Sequence, residues 1–393
     1  MGCGLVKKKQ IKIIIAVIIL LIITFFLITF IQKTKEKSFS IVMAGDALVT
    51  DSILKESYNE LENNYQFSHM LKYIKEYIKD YDLAFYNQET PISGSNLGIS
   101  GKLCYNTPSN FAIDMMNAGF NIINLANNHV MDGQLQIDKE NNYRCQRNEE
   151  GVINNINFFK KYEKVYTTGI YESQEQKDKI IIKKQNGITY TVLSYTYGTN
   201  MDNIIEYKPF LVNVYSKEQV KRDIKKIRDK VDVIFVSMHW GQENSSIPTS
   251  EQKETAKYLA SLGVDVIIGH HPHVIQPIEW IDNTLVIYSL GNLITAQETS
   301  LDYARQIGML VDLKITKKNN KISLSTPNCE LIYIYNENIN NKKKNFVIIP
   351  YSYLKAEDEL LRLYEKSINI IKLYDEKINI NKMGTKNLPQ NIN

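Results

Sequence analysis

Five times in this chain a run of apolar, largely β-branched residues ends on a polar tip, and that pattern restricts the fold more than any other feature. "SFSIVMAGD" ends on Gly45 and Asp46, "YDLAFYNQE" on Asn87 and Glu89, and "FNIINLANNH" on Asn127, Asn128 and His129. "VDVIFVSMHW" delivers His239, and "VDVIIGHHPH" delivers His270, His271 and His273. Short apolar runs of this kind read as buried strands. Between them lie helical patterns: "SKEQVKRDIKKIRDKVD", with Val220, Ile224, Ile227 and Val231 at helical spacing, and "SEQKETAKYLASLG", with Gly263 at the C-cap. Alternating strand and helix predicts an α/β domain, in which ligands gather at the carboxyl ends of the strands. All five tips fall at such ends.

Later segments, "NTLVIYSLGNLI", "GMLVDLKITKKNNKISLSTP" and "CELIYIYNE", read as hairpins without intervening helices, so antiparallel strands extend the sheet or form a second one. Beyond Glu337 the composition shifts to Asn and Lys. There "AEDELLRLYEKSINIIKLYDEKI" predicts a surface helix, followed by disorder over roughly the last ten residues.

Ile13 to Ile31 is a 19-residue stretch, apolar except for Thr24 and Thr29, about long enough to cross a bilayer as a helix. Lys7, Lys8, Lys9 and Lys12 precede it, and Lys33, Lys35 and Lys37, partly offset by Glu36, follow it. The bias predicts an N-terminus inside and the main domain outside. The apolar core is longer than a signal-peptide h-region and no A-x-A cleavage site follows, so an uncleaved anchor is expected rather than a cleaved signal. "MGCGLV" is close to a myristoylation site, but Val6 stands where Ser or Thr is required. The resulting division is a cytoplasmic stretch 1–12, an anchor 13–31, a main domain 39–300, closing strands 301–337 and a polar extension 338–393.

Setting aside the four lysines before the anchor, basic and acidic residues balance. No bulk field draws in a polyanion, and no nucleic-acid partner is expected. Cys104, Cys145 and Cys329 fall on the outer side, and Cys104 with Cys145 is the nearer pair for a bridge.

Histidine placement is the sharpest chemical signal. Of six histidines, every one but His69 sits at a strand tip. Imidazole, carboxylate and amide oxygens together suit Zn²⁺, Mn²⁺ or Fe, and such a centre supports hydrolase or transferase chemistry. Each tip also has a plainer reading: His239 as a loop hydrogen-bonder, "HHPH" as a Pro-stiffened turn, Asp46 as a helix cap, Glu89 as a turn residue before Thr90-Pro91, and Asn127-Asn128 as left-handed backbone positions. Gly291-Asn292 and Gly198 with Asn200 line the same pocket or simply make turns. The coincidence of five tips favours the metal. No G-x-S-x-G, P-loop, G-x-G-x-x-G after a strand, or CxxC pair competes.

In order, "MAGDALV", "NQETPIS", "NIINLANNHVMD", "VSMHWGQE" and "GVDVIIGHHPHVIQPIEW" with "LVIYSLGNLI" resemble the motifs of the CapA family, the poly-γ-glutamate capsule biosynthesis proteins, over about residues 39 to 296. The resemblance implies a calcineurin-like metallophosphoesterase-type α/β/β/α sandwich, preceded here by the transmembrane helix. It implies metal ligands at Asp46, Glu89, Asn128, His239, His271 and His273, with His129 as acid or base. His270, Asn127 and Asn292 are expected behind them or against substrate. Where phosphoesterases carry Asp-x-His, this chain has Asp46-Ala47-Leu48, which lacks one ligand. The family implies a membrane-anchored protein acting with other membrane subunits on an anionic polymer. Either metal-dependent amide or phosphoryl chemistry, a non-catalytic polymer-binding role, or an extracytoplasmic phosphoesterase fits that setting.

Overall fold

The computed structural model describes residues 12, 14–25, 36–133, 135–137, 143–145, 149–200, 207–296 and 303–387. The chain first lays down strands β1 (Lys37–Ala47), β2 (Leu83–Gln88), β3 (Ile122–Asn124) and β4 (Tyr166–Thr168) of a ten-stranded sheet. It then builds a six-stranded sheet from β5 (Ile188–Thr196), β6 (Val233–His239), β7 (Val266–His270), β8 (Ile278–Ile281) and β9 (Thr284–Ile287), with the short strand Lys183–Gln185 at one edge. Finally β10 (Asn292–Ile294), β11 (Ile307–Lys318), β12 (Asn328–Ile339) and β13 (Lys342–Pro350) return to the first sheet. The order β4-β3-β2-β1 is parallel and continues antiparallel through β11, β12 and β13. In the second sheet β5, β6, β7 and β9 are parallel.

Side-chain alternation explains why the two sheets stack. Ile41 and Met43 of β1 join Phe85, Phe235, Val266 and Ile268 in a core between the sheets. Val42 and Ala44, pointing the other way, pack with Phe111 and Met115 of helix α1 (Ser109–Ala118) and Val152 of α2 (Glu149–Phe159). On the far side, Leu193, Ile234 and Ile267 meet Val220, Ile224 and Ile227 of α3 (Lys217–Ile227) and Ala256 and Leu259 of α4 (Ser250–Ser261). The result is helix, sheet, sheet, helix, as the motifs imply. Both faces of every central strand are apolar, which is why those strands read as unbroken runs. Each such side chain contributes about 1.5–3 kcal/mol by burial, so a one-residue slip that exchanged Ile41 for Val42 across the sheet is strongly disfavoured.

The parallel register sets the tips level. Asn124 pairs with Asn87, Asn87 with Asp46, and Asp46 with Asn292 across the first sheet. In the second, Thr196 pairs with His239 and His239 with His270.

Three expectations need adjustment. "NTLVIYS" does make a hairpin with β8, but it also joins β7 in parallel as β9. The polar extension drawn from residue 338 begins inside β12, and β13 follows with Phe346 and Ile348 buried. Its Lys and Asn residues cluster at the turn and on the exposed face, and so mask the alternation. The helix α5 (Asp358–Ile371) is amphipathic rather than purely superficial: Leu363, Tyr364 and Ile371 join the core between the sheets. Residues 388–393, part of the expected disordered end, lie outside the described residues. Of the anchor 13–31, residues 14–25 are helical and exposed; the rest lies outside the described residues. Among the described residues no helix is long and apolar enough to cross a membrane.

One glycine holds the sheet junction. A Cβ on Gly45 would lie 1.9 Å from the Gly291 carbonyl oxygen, the same oxygen that accepts the Asp46 amide at 2.9 Å. Gly45→Ala therefore has to push β10 off β1, and should lower stability by about 2–3 kcal/mol in urea unfolding. Gly198→Ala, with nothing within 4 Å, should stay within about 0.5 kcal/mol of wild type.

Candidate metal centre

Asp46 is wholly buried where the two sheets meet. Its Oδ1 accepts from Asn87 Nδ2 at 2.8 Å and His270 Nδ1 at 3.1 Å, and its Oδ2 from the His271 backbone amide at 3.1 Å. His273 Nδ1 lies 3.4 Å from that second oxygen. Burial pushes the Asp46 carboxyl up, but the His270 and His273 hydrogen bonds outweigh it and hold it well below the usual carboxylate range. This carboxylate is therefore ionised and fully engaged by protein donors.

Glu89 is the opposite case. It is equally buried, yet neither oxygen has a hydrogen-bond partner. Its Oε1 faces His273 Nε2 at 3.5 Å and His239 Nε2 at 3.8 Å. Burial, with no donor to offset it, raises its carboxyl well above the ordinary value. A buried carboxyl without a partner costs several kcal/mol unless something completes it.

The histidines supply what a cation would need. His273 Nδ1 donates to Asn292 Oδ1 at 3.0 Å, while Asn292 Nδ2 donates back to the His273 carbonyl at 3.0 Å. That bond orients the ring and leaves Nε2 as the atom facing Glu89. His271 Nδ1 is buried and unpartnered, as is His270 Nε2. Ligand atoms of Glu89, His271 and His273 all lie within 4.8 Å of one another. Beside them His239 Nε2 is 2.8 Å from Asn128 Oδ1, and the His239 and His271 rings are 4.8 Å apart. A nitrogen and oxygen donor set with orphaned buried atoms fits a divalent ion such as Zn²⁺, Mn²⁺ or Fe²⁺.

The turn that delivers these rings is unusual. His271 and His273 have φ of 94° and 59°, on either side of Pro272. Left-handed backbone at two non-glycine residues is costly and tends to persist where surrounding structure enforces it. Here the His271 amide bond to Asp46 and the Asn292 clasp on His273 do so.

His129 stands at the rim. Its Nδ1 lies 2.9 Å from Asp132 Oδ2, its ring meets the Tyr105 ring edge-on at 4.8 Å, and 15% of its side chain is exposed. Tyr105 follows Cys104, which is joined to Cys145 by a disulfide, and the Tyr105 amide donates to Asp132 Oδ2 at 3.0 Å. Asn127 instead serves the backbone, donating to the Gln88 carbonyl and accepting from the His129 amide. Asn200 accepts from Asn128 Nδ2 at 3.2 Å. The structure thus gathers Asp46, Glu89, Asn128, His239, His270, His271, His273 and Asn292 in one cluster, with His129 beside it. Sequence reasoning put Asn87 at a strand tip but gave it no role, and it ties Asp46 to Asn124; it missed Asp132, whose signal was its place three residues after His129.

Burial, then the charge of His273, holds His271 down to about 4. Burial also acts against protonated His273, yet Glu89 and Asp46 outweigh it and lift it to about 9. A histidine depressed on folding loses stability as pH falls from 6.5 toward 4, and one raised on folding loses it as pH rises from 6.5 toward 9. In chelator-treated protein the combined contribution of these two histidines is therefore greatest near pH 6.5. The acid-side loss from His271 alone is roughly 3 kcal/mol. Thermal melts across pH check this, and His271→Asn, which tolerates positive φ, should flatten the acid side.

Residues 40–297 match the bacterial capsule synthesis protein PGA_cap family. The chain is 24% identical over 291 residues to the PGA biosynthesis protein CapA of Bacillus subtilis strain 168, covering 74% of this chain and 73% of that protein. It is 25% identical over 315 residues to the capsule biosynthesis protein CapA of Bacillus anthracis, covering 74% and 70%. Among solved structures it is similar to the calcineurin-like phosphoesterase YfkN from Bacillus subtilis, at 12% identity and a TM-score of 0.43, covering 76% of this chain and 91% of that one. With the family match spanning most of the chain and every matched motif converging on the buried cluster, this protein belongs to the bacterial capsule synthesis PGA_cap family.

Proposed function

We propose that this protein works in building, exporting or anchoring an anionic capsule polymer of the poly-γ-glutamate type, through a divalent-metal centre with hydrolase or transferase chemistry on an amide or phosphoryl group. The observation that carries the reading is the Glu89 carboxylate, wholly buried without a hydrogen bond and opposite His271 and His273. Glu89, His271 and His273 would hold the ion, with His239 and Asn128 alongside. Asp46 as a ligand would have to exchange one of its present bonds; as it stands, it orients His270, the His271 backbone and His273. A bound Zn²⁺, Mn²⁺ or Fe²⁺ would polarise the scissile carbonyl or phosphoryl oxygen and activate water.

The chain's own residues account for the rest. Asp132, holding His129 Nδ1, leaves Nε2 to give a proton to, or take one from, the reacting group. Tyr197 packs its ring 4.9 Å from that of His271. We place residues 13–31 in the cell membrane, with the main domain outside. The flanking lysines and the Cys104–Cys145 bridge, which suits an oxidising compartment, support that placement. Other membrane subunits are the expected partners.

Full-length protein in detergent should carry stoichiometric metal and gain about 2.7 kcal/mol of stability at a hundredfold excess of metal over its Kd. Glu89→Gln should lose both while staying folded. His129→Ala should keep the metal but lower turnover of γ-glutamyl or phosphoryl substrates about 10²–10⁴-fold. Metal without turnover in the wild type would favour a polymer-binding subunit, and no metal at all would end the proposal.

A further inference from the structure

One guanidinium stands next to the frame of the cluster without a part in it. Arg305 follows the first sheet's tip at Asn292, and its carbonyl accepts from Asn292 Nδ2 at 2.9 Å, on the residue that clasps His273. Its side chain is only 12% exposed, with Nη2 3.2 Å from Glu243 Oε2 and Nε bonded to Asn244 Oδ1. Asn244 in turn donates its amide to the Pro272 carbonyl at 2.8 Å, in the middle of the histidine turn. Glu243 lies near enough for its charge to be felt at Glu89, His271, His273, Tyr105 and Tyr197.

Two properties of this pair stand out. A guanidinium fixed at one end by Asn244 presents its planar fork in a set orientation, the geometry that suits carboxylate and phosphate oxygens. Its partner carboxylate is 46% exposed, and an ion pair open to solvent on one side contributes little and exchanges readily. Glu243 thus fills the position that an anionic group of a ligand at the metal centre would take.

We propose that Arg305 is the receptor for an anionic oxygen group, carboxylate or phosphate, of the substrate, and that Glu243 occupies it in the free protein and yields to the incoming anion. The proposal rests on the reading that the pocket handles an anionic polymer, and it names the residue that recognises it. The backbone bond from Asn292 survives substitution of either side chain, so the cluster itself need not move.

The test is equilibrium binding to full-length protein in detergent with two probes, a fluorescent γ-linked glutamate oligomer and inorganic phosphate, with metal content measured on every sample. Arg305→Gln should weaken binding of the recognised probe by about tenfold or more. Glu243→Gln should tighten it severalfold, and that gain should vanish in the double variant, because it acts through Arg305. Stronger dependence on Arg305 for the oligomer assigns a carboxylate, and for phosphate a phosphoryl group. Binding by Arg305→Gln within about twofold of wild type, or a Glu243→Gln gain that persists without Arg305, overturns the proposal while a retained metal leaves the reading of the centre intact. Wild-type protein that holds metal but binds neither probe overturns it as well; loss of the metal itself points to the earlier reading instead.

Discussion

Everything at the centre of this protein depends on one buried anion. Asp46 sits at the end of β1 in the first sheet, and it is held there by Asn87 from its own sheet and by His270, His271 and His273 from the second. Removing a carboxylate from water costs several kcal/mol, and only a full set of donors offsets that. The donors come from two sheets, so the bond set fixes where the sheets meet as well as how the histidines point. Glu89, the first residue after the next strand, receives none of that compensation. The contrast between a satisfied carboxylate and an orphaned one is what separates the frame of the site from its working face.

The frame works because register and turn geometry agree. Parallel pairing places Asn124, Asn87, Asp46 and Asn292 level on one sheet and His239 with His270 on the other. The left-handed turn at His271 and His273 then swings two more rings back over the tips. A continued strand would have sent alternate side chains to opposite faces. The strained turn allows His271 and His273 to converge on Glu89, and the Asp46 and Asn292 bonds hold it in place.

Much of this was legible from residues alone. The five tips stood out because buried parallel strands leave unbroken apolar runs, and a polar residue at the end of each has few other reasons to be there. His270 bonds Asp46 from the end of its strand. What the sequence hid was of two kinds. Asn87 and Asp132 are polar residues next to motif residues, and only pairing across strands or one helical turn reveals what they touch. Arg305 and Glu243 lie 62 residues apart and meet through tertiary packing alone. Strand β13 escaped notice because Lys342 to Asn345, which make up its first half, continue the Asn- and Lys-rich turn and hide the apolar run from Phe346 to Ile349. Asn127, expected near substrate, turned out to spend both its amide groups on the local backbone, a role that Asn fills as readily as a binding one.

The central claim is that Glu89, His271 and His273 enclose a divalent ion. A crystal structure of the purified protein with anomalous data collected on either side of the zinc, manganese and iron edges tests it most directly. The account predicts one strong anomalous peak in contact with Glu89, at about 2.0–2.2 Å from its carboxylate and from the two imidazoles. Density showing Glu89 hydrogen-bonded to ordered water, with no anomalous peak after growth in metal-supplemented medium, would contradict it.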